Sequence, residues 1–299
     1  MNNRNIILLI ISFIVLAIIS VWIGQQSYSW LPPEAAAESI LIDHLFSFLV
    51  TIGAFIFLGV TGAILYSIIF HRAGKYDMSD GPPIEGNLTL EVVWTAIPFV
   101  LVIWIAIYSY QIYDQISLRG PMDHHFHMSM GMPSANAASL PEESTPPPKI
   151  EVHSKQWAWV FRYPEQNITS TELHLPVNQR AYLQLTSEDV IHGFYIPAFR
   201  VKQDVIPGET IDFEFTPIRE GKYRLRDSQY SGTYFATMQA DVVVESAEKY
   251  QEWLKIASSQ PPSLAFNQAA SEYTKKTEHP IHTDWPTVIP AQPPIVNYH

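Results

Sequence analysis

KQWAWVFRYP, Lys155–Pro164, decides how the second half of this chain folds. Trp157, Trp159 and Phe161 fall on every second residue, and a period of two places side chains on one face of a half-buried strand. The same texture begins at Ile150/Val152 and returns at Tyr182/Gln184, Ile211/Phe213/Phe215 and Tyr223/Leu225, with a last strand over Met238–Val244. Turn signals separate these runs at Pro176-Val177-Asn178, Pro207-Gly208 and Glu220-Gly221. Strand after strand without a long helical pattern predicts a β-sandwich or small barrel. A short helix over Ala247–Ile256 follows, and the Pro-rich tail after Gln260 is expected to be loosely ordered.

Upstream the texture is different. Ile6–Ile23, Leu45–Phe70 and Val92–Tyr110 are apolar runs free of charge, each long enough to cross a bilayer. Trp94, Tyr108, Tyr110 and Tyr113 flank the third run, where a ring that is half apolar and half wet suits the membrane interface. Arg4 precedes the first run, and Arg72 and Lys75 lie between the second and third. The positive-inside rule makes those regions cytoplasmic and places residues 24–44, and everything after about Tyr113, outside. Ala35-Ala36-Ala37 offers small residues that a signal peptidase accepts. Its distance from the first apolar run favours a retained anchor.

These patterns divide the chain into five parts: 1–40, a first span (anchor or signal) with an outer loop; 41–113, a transmembrane helical hairpin; 114–148, a linker; 149–246, an extracytoplasmic β domain; and 247–299, a helix and Pro-rich tail. The linker holds MDHHFHMSMGM (Met122–Met132) and Pro146-Pro147-Pro148, a density of proline that keeps a chain extended. Of 299 residues 47% are hydrophobic and 16% charged, a balance that fits an anchor joined to one soluble domain. The absence of cysteine excludes disulfides, thiolate nucleophiles and Cys-based metal sites. A formal net charge of −11 argues against nucleic acid as a partner. No P-loop, GxGxxG, HExxH or GxSxG pattern is present.

DSQYSGTYFATM (Asp227–Met238), VIHGFYIPAFRVKQDVIPG (Val190–Gly208), the aromatic strand and EGNLTLEVVWTAIP (Glu85–Pro98) together carry a family likeness. Over roughly residues 40–256 the chain resembles subunit II of the haem–copper respiratory terminal oxidases. The resemblance implies an α+β membrane protein: a two-helix transmembrane hairpin, here with one extra N-terminal span, followed by a cupredoxin-like Greek-key β-sandwich. In the cytochrome c-oxidising members the matching loop reads C-S-E-x-C-G-x-x-H-x-x-M and builds a dinuclear copper centre, since bridging thiolates and imidazole suit a delocalised copper pair. Position by position the two cysteines are Asp227 and Ser231, the glutamate is Gln229 and the second histidine is Phe235. His192 and Met238 remain of the side-chain ligands. The resemblance thus implies a degenerate copper site and no cofactor in this subunit, with haem and copper in the catalytic partner.

YSGTYFATM keeps the S-G-x-x-F-x-x-M pattern of the bo-type quinol oxidases, whereas IHGFYIPAFRVKQDVIPG keeps the wording of copper-bearing subunits. The extra span, IGQQ (Ile23–Gln26) and DGPPIEGN (Asp80–Asn87) are similar to cyanobacterial subunit II. The combination is most similar to the alternative respiratory terminal oxidase of cyanobacteria. Such a subunit serves a complex that oxidises membrane quinol, reduces dioxygen to water and translocates protons. Its partners are oxidase subunits I and III, the quinol and the lipid of a bacterial plasma membrane or a cyanobacterial plasma or thylakoid membrane.

Several residues carry two readings. Glu91 matches the family's glutamate at the cytoplasmic entrance of a proton pathway, and a carboxylate at a helix start is also favourable in itself. Trp157 matches the tryptophan that receives the electron from cytochrome c; without copper behind it, packing is its expected use. His192, Met238 and Asp227 make a poor cage for a single copper. His124, His125, His127 and Met128 are weak candidates for copper, in a linker without evident supporting partners. Two rival functions follow: a cytochrome c oxidase subunit 2 proper, and a membrane-anchored copper carrier that uses the His/Met linker.

Overall fold

The computed structural model describes residues 3–72, 86–116, 149–261, 263–264, 267–277 and 286–287. It divides into two compact units, one of Met1–Leu31 and Ile42–Asp114, the other of Pro32–Leu41 and Gln115–His299.

The first unit is helical. Helices α1 (Asn3–Gln26), α2 (Ala37–Phe70) and α3 (Leu88–Ile116) have 24, 34 and 29 residues, against about 20 needed to cross the hydrocarbon core of a bilayer. Their apolar sequences leave a helix as the form that satisfies its own backbone. α1 approaches α2 at Gly24, where an added Cβ would run into Thr51 Oγ1. Glycine there permits close backbone contact, and Ser47 Oγ donates to the Gly24 carbonyl at 2.8 Å. Phe13 and Phe55 meet edge to face at 5.3 Å. α3 joins through Trp104 and Tyr108, whose rings stand on Phe48 at 5.1 and 5.0 Å. Most other apolar side chains of these helices, such as Trp22, Phe57 and Phe99, face outward, as membrane solvent demands.

The second unit is a sandwich of two five-stranded sheets. One has the order β3 (Ile168–Ser170), β2 (Ala158–Tyr163), β1 (Lys149–Lys155), β5 (Ala181–Ser187), β8 (Ile211–Phe215). The other runs β4 (Leu173–Pro176), β10 (Gln239–Glu245), β9 (Gly221–Asp227), β6 (His192–Ile196), β7 (Val201–Val205). The chain changes sheets between β3 and β4, β4 and β5, β5 and β6, β7 and β8, and β8 and β9. The pairs β1–β5 and β10–β4 are parallel and the others antiparallel. This is the cupredoxin-like Greek key.

Trp159, Phe161 and Tyr163 of β2 face inward against Phe194, Phe213, Phe215, Leu225 and Val242, and each fully buried ring or branched chain contributes roughly 2 kcal/mol. In β5 the buried face is Ala181, Leu183 and Leu185. The expected Tyr182/Gln184 pattern is therefore one residue out of phase: Leu183 and Leu185 are the better core fillers and win the inner face. Trp157 precedes β2, in the turn after β1.

Ala35 and Ala36 belong to the sandwich and are fully buried in it. Ala35 N donates to Ala198 O at 3.1 Å, Ile218 N to Ala35 O at 2.9 Å and Ala37 N to Thr216 O at 2.9 Å. Helix α4 (Ala247–Ser259) starts at Ser246, whose hydroxyl accepts from Lys249 N, and it buries Tyr250, Trp253, Leu254 and Ala257. The tail departs from loose order at α5 (Gln268–Thr277), which buries Ala269 and Ala270 completely.

Candidate functional site

The hairpin between β9 and β10 presents the residues that the family motif singles out. Its neck is closed by Asp227 N donating to Met238 O at 3.0 Å. Beside it β6 runs antiparallel to β9, with Phe194 opposite Asp227. This register sets His192, the first residue of β6, next to Asp227, the last residue of β9.

Three of the marked residues are joined directly. His192 Nδ1 donates to Asp227 Oδ2 at 2.8 Å, and Ser231 Oγ donates to the same oxygen at 2.7 Å. Asp227 Oδ1 accepts from Gly193 N at 2.7 Å and from Gln229 N at 3.0 Å. The carboxylate thus has four donors, enough to satisfy a buried anion. On the far side of the ring, His192 Nε2 donates to Asp189 Oδ1 at 2.9 Å, and Asp189 Oδ2 accepts from Gln156 N at 2.7 Å.

A neutral imidazole has one N–H and one lone pair, so it cannot donate to two carboxylates. Two flanking carboxylates therefore favour the protonated ring of His192, although none of its side chain is exposed. Burial works against the charge, but the hydrogen bonds that the ring makes to Asp189 and Asp227 and the negative charges of these carboxylates outweigh it, and the His192 pKa is raised. Burial pushes the Asp189 carboxyl up, yet its bonds with His192 and the Gln156 and Val190 amides win and hold it lowered. Both ring nitrogens are engaged with carboxylates, so a metal at this ring would have to displace one of those bonds.

The other marked side chains go elsewhere. Gln229 Nε2 donates to Asp204 Oδ2 at 2.8 Å. Phe235 turns toward Tyr230, ring to ring at 5.3 Å. Met238 is fully buried in the hydrophobic core. Trp157 Nε1 and Gln156 Nε2 both donate to Ser231 O, at 2.9 and 2.7 Å. The loop accommodates this ring at Gly232, whose φ is +108° and where a Cβ would stand 3.0 Å from Trp157 Cζ2; only glycine meets both demands cheaply.

Glu91 lies apart, exposed in the first turn of α3. Asn87 caps that helix, its Oδ1 accepting from Leu90 N at 3.1 Å. His124, His125, His127 and Met128 lie outside the described residues. Among the described residues no three His, Asp or Glu side chains are grouped so as to hold a metal ion. Asp189 is a site residue that the sequence pattern does not single out; its one signal is its place three residues before His192.

Two family profiles match the chain: cytochrome C oxidase subunit II, transmembrane domain, over residues 20–112, and cytochrome C oxidase subunit II, periplasmic domain, over residues 167–247. Cytochrome c oxidase subunit 2 of Thermostichus vulcanus is 36% identical over 271 residues, covering 80% of this chain and 82% of the relative. This chain belongs to the cytochrome c oxidase subunit II family. The subunit 2 of that name from Synechocystis sp. is 34% identical over 271 residues, covering 83% of this chain and 81% of the relative. Quinol oxidase subunit 2 of Bacillus spizizenii is 27% identical over 256 residues, covering 83% and 72%.

As a subunit II, the protein is a non-catalytic part of a haem–copper terminal oxidase, an oxidoreductase complex. Its three spanning helices and the periplasmic-type sandwich make it a membrane protein with an extracytoplasmic C-terminal domain.

Proposed function

We propose that this subunit II has lost the dinuclear copper centre and serves an oxidase that takes its electrons from membrane quinol. The observation that carries the reading is the ion pair of His192 with Asp227, flanked by Asp189. A copper centre of the family type needs two thiolates and two imidazoles with free lone pairs. At those positions stand a carboxylate and a hydroxyl hydrogen-bonded to one another, a phenyl ring and an imidazole held between two carboxylates. These residues do not fit the metal pair; they fill its place with a charge network of their own.

A quinol dissolved in the bilayer delivers electrons without crossing an aqueous domain, which removes the need for a metal port there. The sandwich then serves as a cap on the catalytic subunit I, which with subunit III completes the complex and holds its haem and copper. Glu91, in the first turn of the third span, serves in this reading as the entrance of a proton path into subunit I. The extra span and the wording of IGQQ and DGPPIEGN support the cyanobacterial alternative oxidase as the subclass, in a plasma or thylakoid membrane.

A second reading, a subunit that accepts electrons from cytochrome c, is favoured by the names of the Thermostichus and Synechocystis relatives. Copper counted against haem in the purified complex separates the readings. A copper-less subunit II leaves only the copper of the catalytic subunit. A family-type centre adds two more per complex, and that result would overturn the proposal.

A further inference from the structure

Trp157 occupies a turn between two strands, a place where side chains ordinarily meet water, yet only 2% of it is exposed. The 227–238 loop floors the ring through Gly232. Tyr234 from the same loop stands on it edge to face at 5.1 Å. The remaining ring against it comes from the tail: Tyr273 of α5, also edge to face at 5.1 Å. Tyr273 and Tyr234 themselves meet at 6.5 Å, nearly perpendicular.

Further contacts hold α5 in place. Lys276 Nζ donates to the Tyr234 hydroxyl at 3.2 Å and lies 5.8 Å from the centre of its ring. Asn267 caps the helix, its Oδ1 accepting from Ala270 N at 3.2 Å. Ala269 and Ala270 are small enough to bury their backbone against the domain, and both are completely enclosed. With 10 residues, α5 is shorter than the roughly 12–15 that an isolated helix needs in water, so its helicity depends on this docking.

We infer that α5 is an intramolecular cover over Trp157, held by Tyr273 and Lys276, that must leave before the ring is open to solvent or to a docking protein. Trp157 Nε1 is bonded to the carbonyl of Ser231, so the covered ring is tied directly to the 227–238 loop. A protein docking there must first displace α5. The cover stands whichever donor serves the complex, so it goes beyond the quinol reading. Because the helix melts when it leaves, undocking is a local opening that can occur while the sandwich stays folded.

Hydroxyl-radical footprinting of the full-length chain in detergent, read residue by residue by mass spectrometry, tests this. Trp157 should be protected in the full chain, and its labelling should rise several-fold in a chain ending at Pro261 while core Trp159 stays protected. If that truncation unfolds the domain, shown by labelling of Trp159, the double variant Tyr273→Ala with Lys276→Ala decides, and it should expose Trp157 selectively. Trp157 labelled in the full chain as fast as a free tryptophan would overturn the inference. So would protection that persists in a folded variant without the cover. Oxidation of cytochrome c by the intact complex would overturn the proposed donor and leave the footprint unchanged, so the two ideas fail separately.

Discussion

His192 opens β6, Asp227 closes β9, and 2.8 Å between Nδ1 and Oδ2 ties the two strands at the mouth of the 227–238 loop. The pair is buried on both sides. The histidine that the family motif marks is thus paired with a carboxylate at a position where the motif has a cysteine.

Breaking that pair from one side leaves a buried charge without its partner. Asp227→Asn should therefore destabilise the loop end of the sandwich by about 3–5 kcal/mol. Hydrogen–deuterium exchange of peptides over 186–196 and 227–238 should speed up strongly in this variant. Unchanged exchange would show that the pair is not what holds the strands together.

The pair also predicts a pH dependence. His192 has a folded pKa raised above 6.5, so its contribution is complete below about 6.5 and is lost as pH rises through the folded value. Asp189 has a folded pKa lowered from 3.8, so its contribution is present above about 3.8 and is lost as pH falls through that lower value. Protection of the 186–196 amides should fall on the alkaline side in the wild type. His192→Gln should abolish that alkaline slope; a slope that survives would assign it to another group.

Much of this is legible in residue pattern. The apolar runs mark three spans, and Trp159 and Phe161 announce β2 with its inner face, because large rings repeat every two residues mainly where a strand buries one side. β5 differs by one residue because Tyr182 and Gln184 alternate as regularly as the leucines beside them, and only burial decides which set faces in. The Asp189–His192 contact stays hidden because a carboxylate in a turn looks solvated until the fold brings the ring to it. The prolines that flank α5 in the tail mask it, although QAASEYTKKT has helix-forming residues and a Tyr four positions after Ala269. The smallness of Ala35 and Ala36 suits a cleavage site in sequence, whereas in the structure it lets them enter the sandwich core.

That last point predicts that the first span is retained. Cleavage after Ala37 would remove two core residues and the hydrogen bonds of Ala35 and Ala37 with Ala198, Ile218 and Thr216. Intact-mass measurement of the mature chain should include residues before Ala35. A chain beginning after Ala37 would contradict this.

Glu91→Ala should slow oxygen uptake without lowering haem content, since an exposed carboxylate in the first turn of α3 carries little of the fold. Turnover unchanged across the pH range would leave Glu91 as a helix-start carboxylate alone.

The loop still has the family's length and its glycine at Gly232. Asp227→Cys, Ser231→Cys and Phe235→His together, with Gln229→Glu, should free His192 from Asp227 and restore two thiolates and two imidazoles near Met238. The folded variant should take up copper and become coloured through thiolate–copper charge transfer. A folded, colourless variant in excess copper would show that the loop has left the ancestral path.

The central claim is that no electron enters through the aqueous domain. Oxygen uptake by the purified complex, driven in parallel by a membrane quinol and by reduced cytochrome c, tests it most directly. The account predicts rapid uptake with quinol and little above background with cytochrome c. Turnover with cytochrome c at a rate matching that with quinol would contradict it.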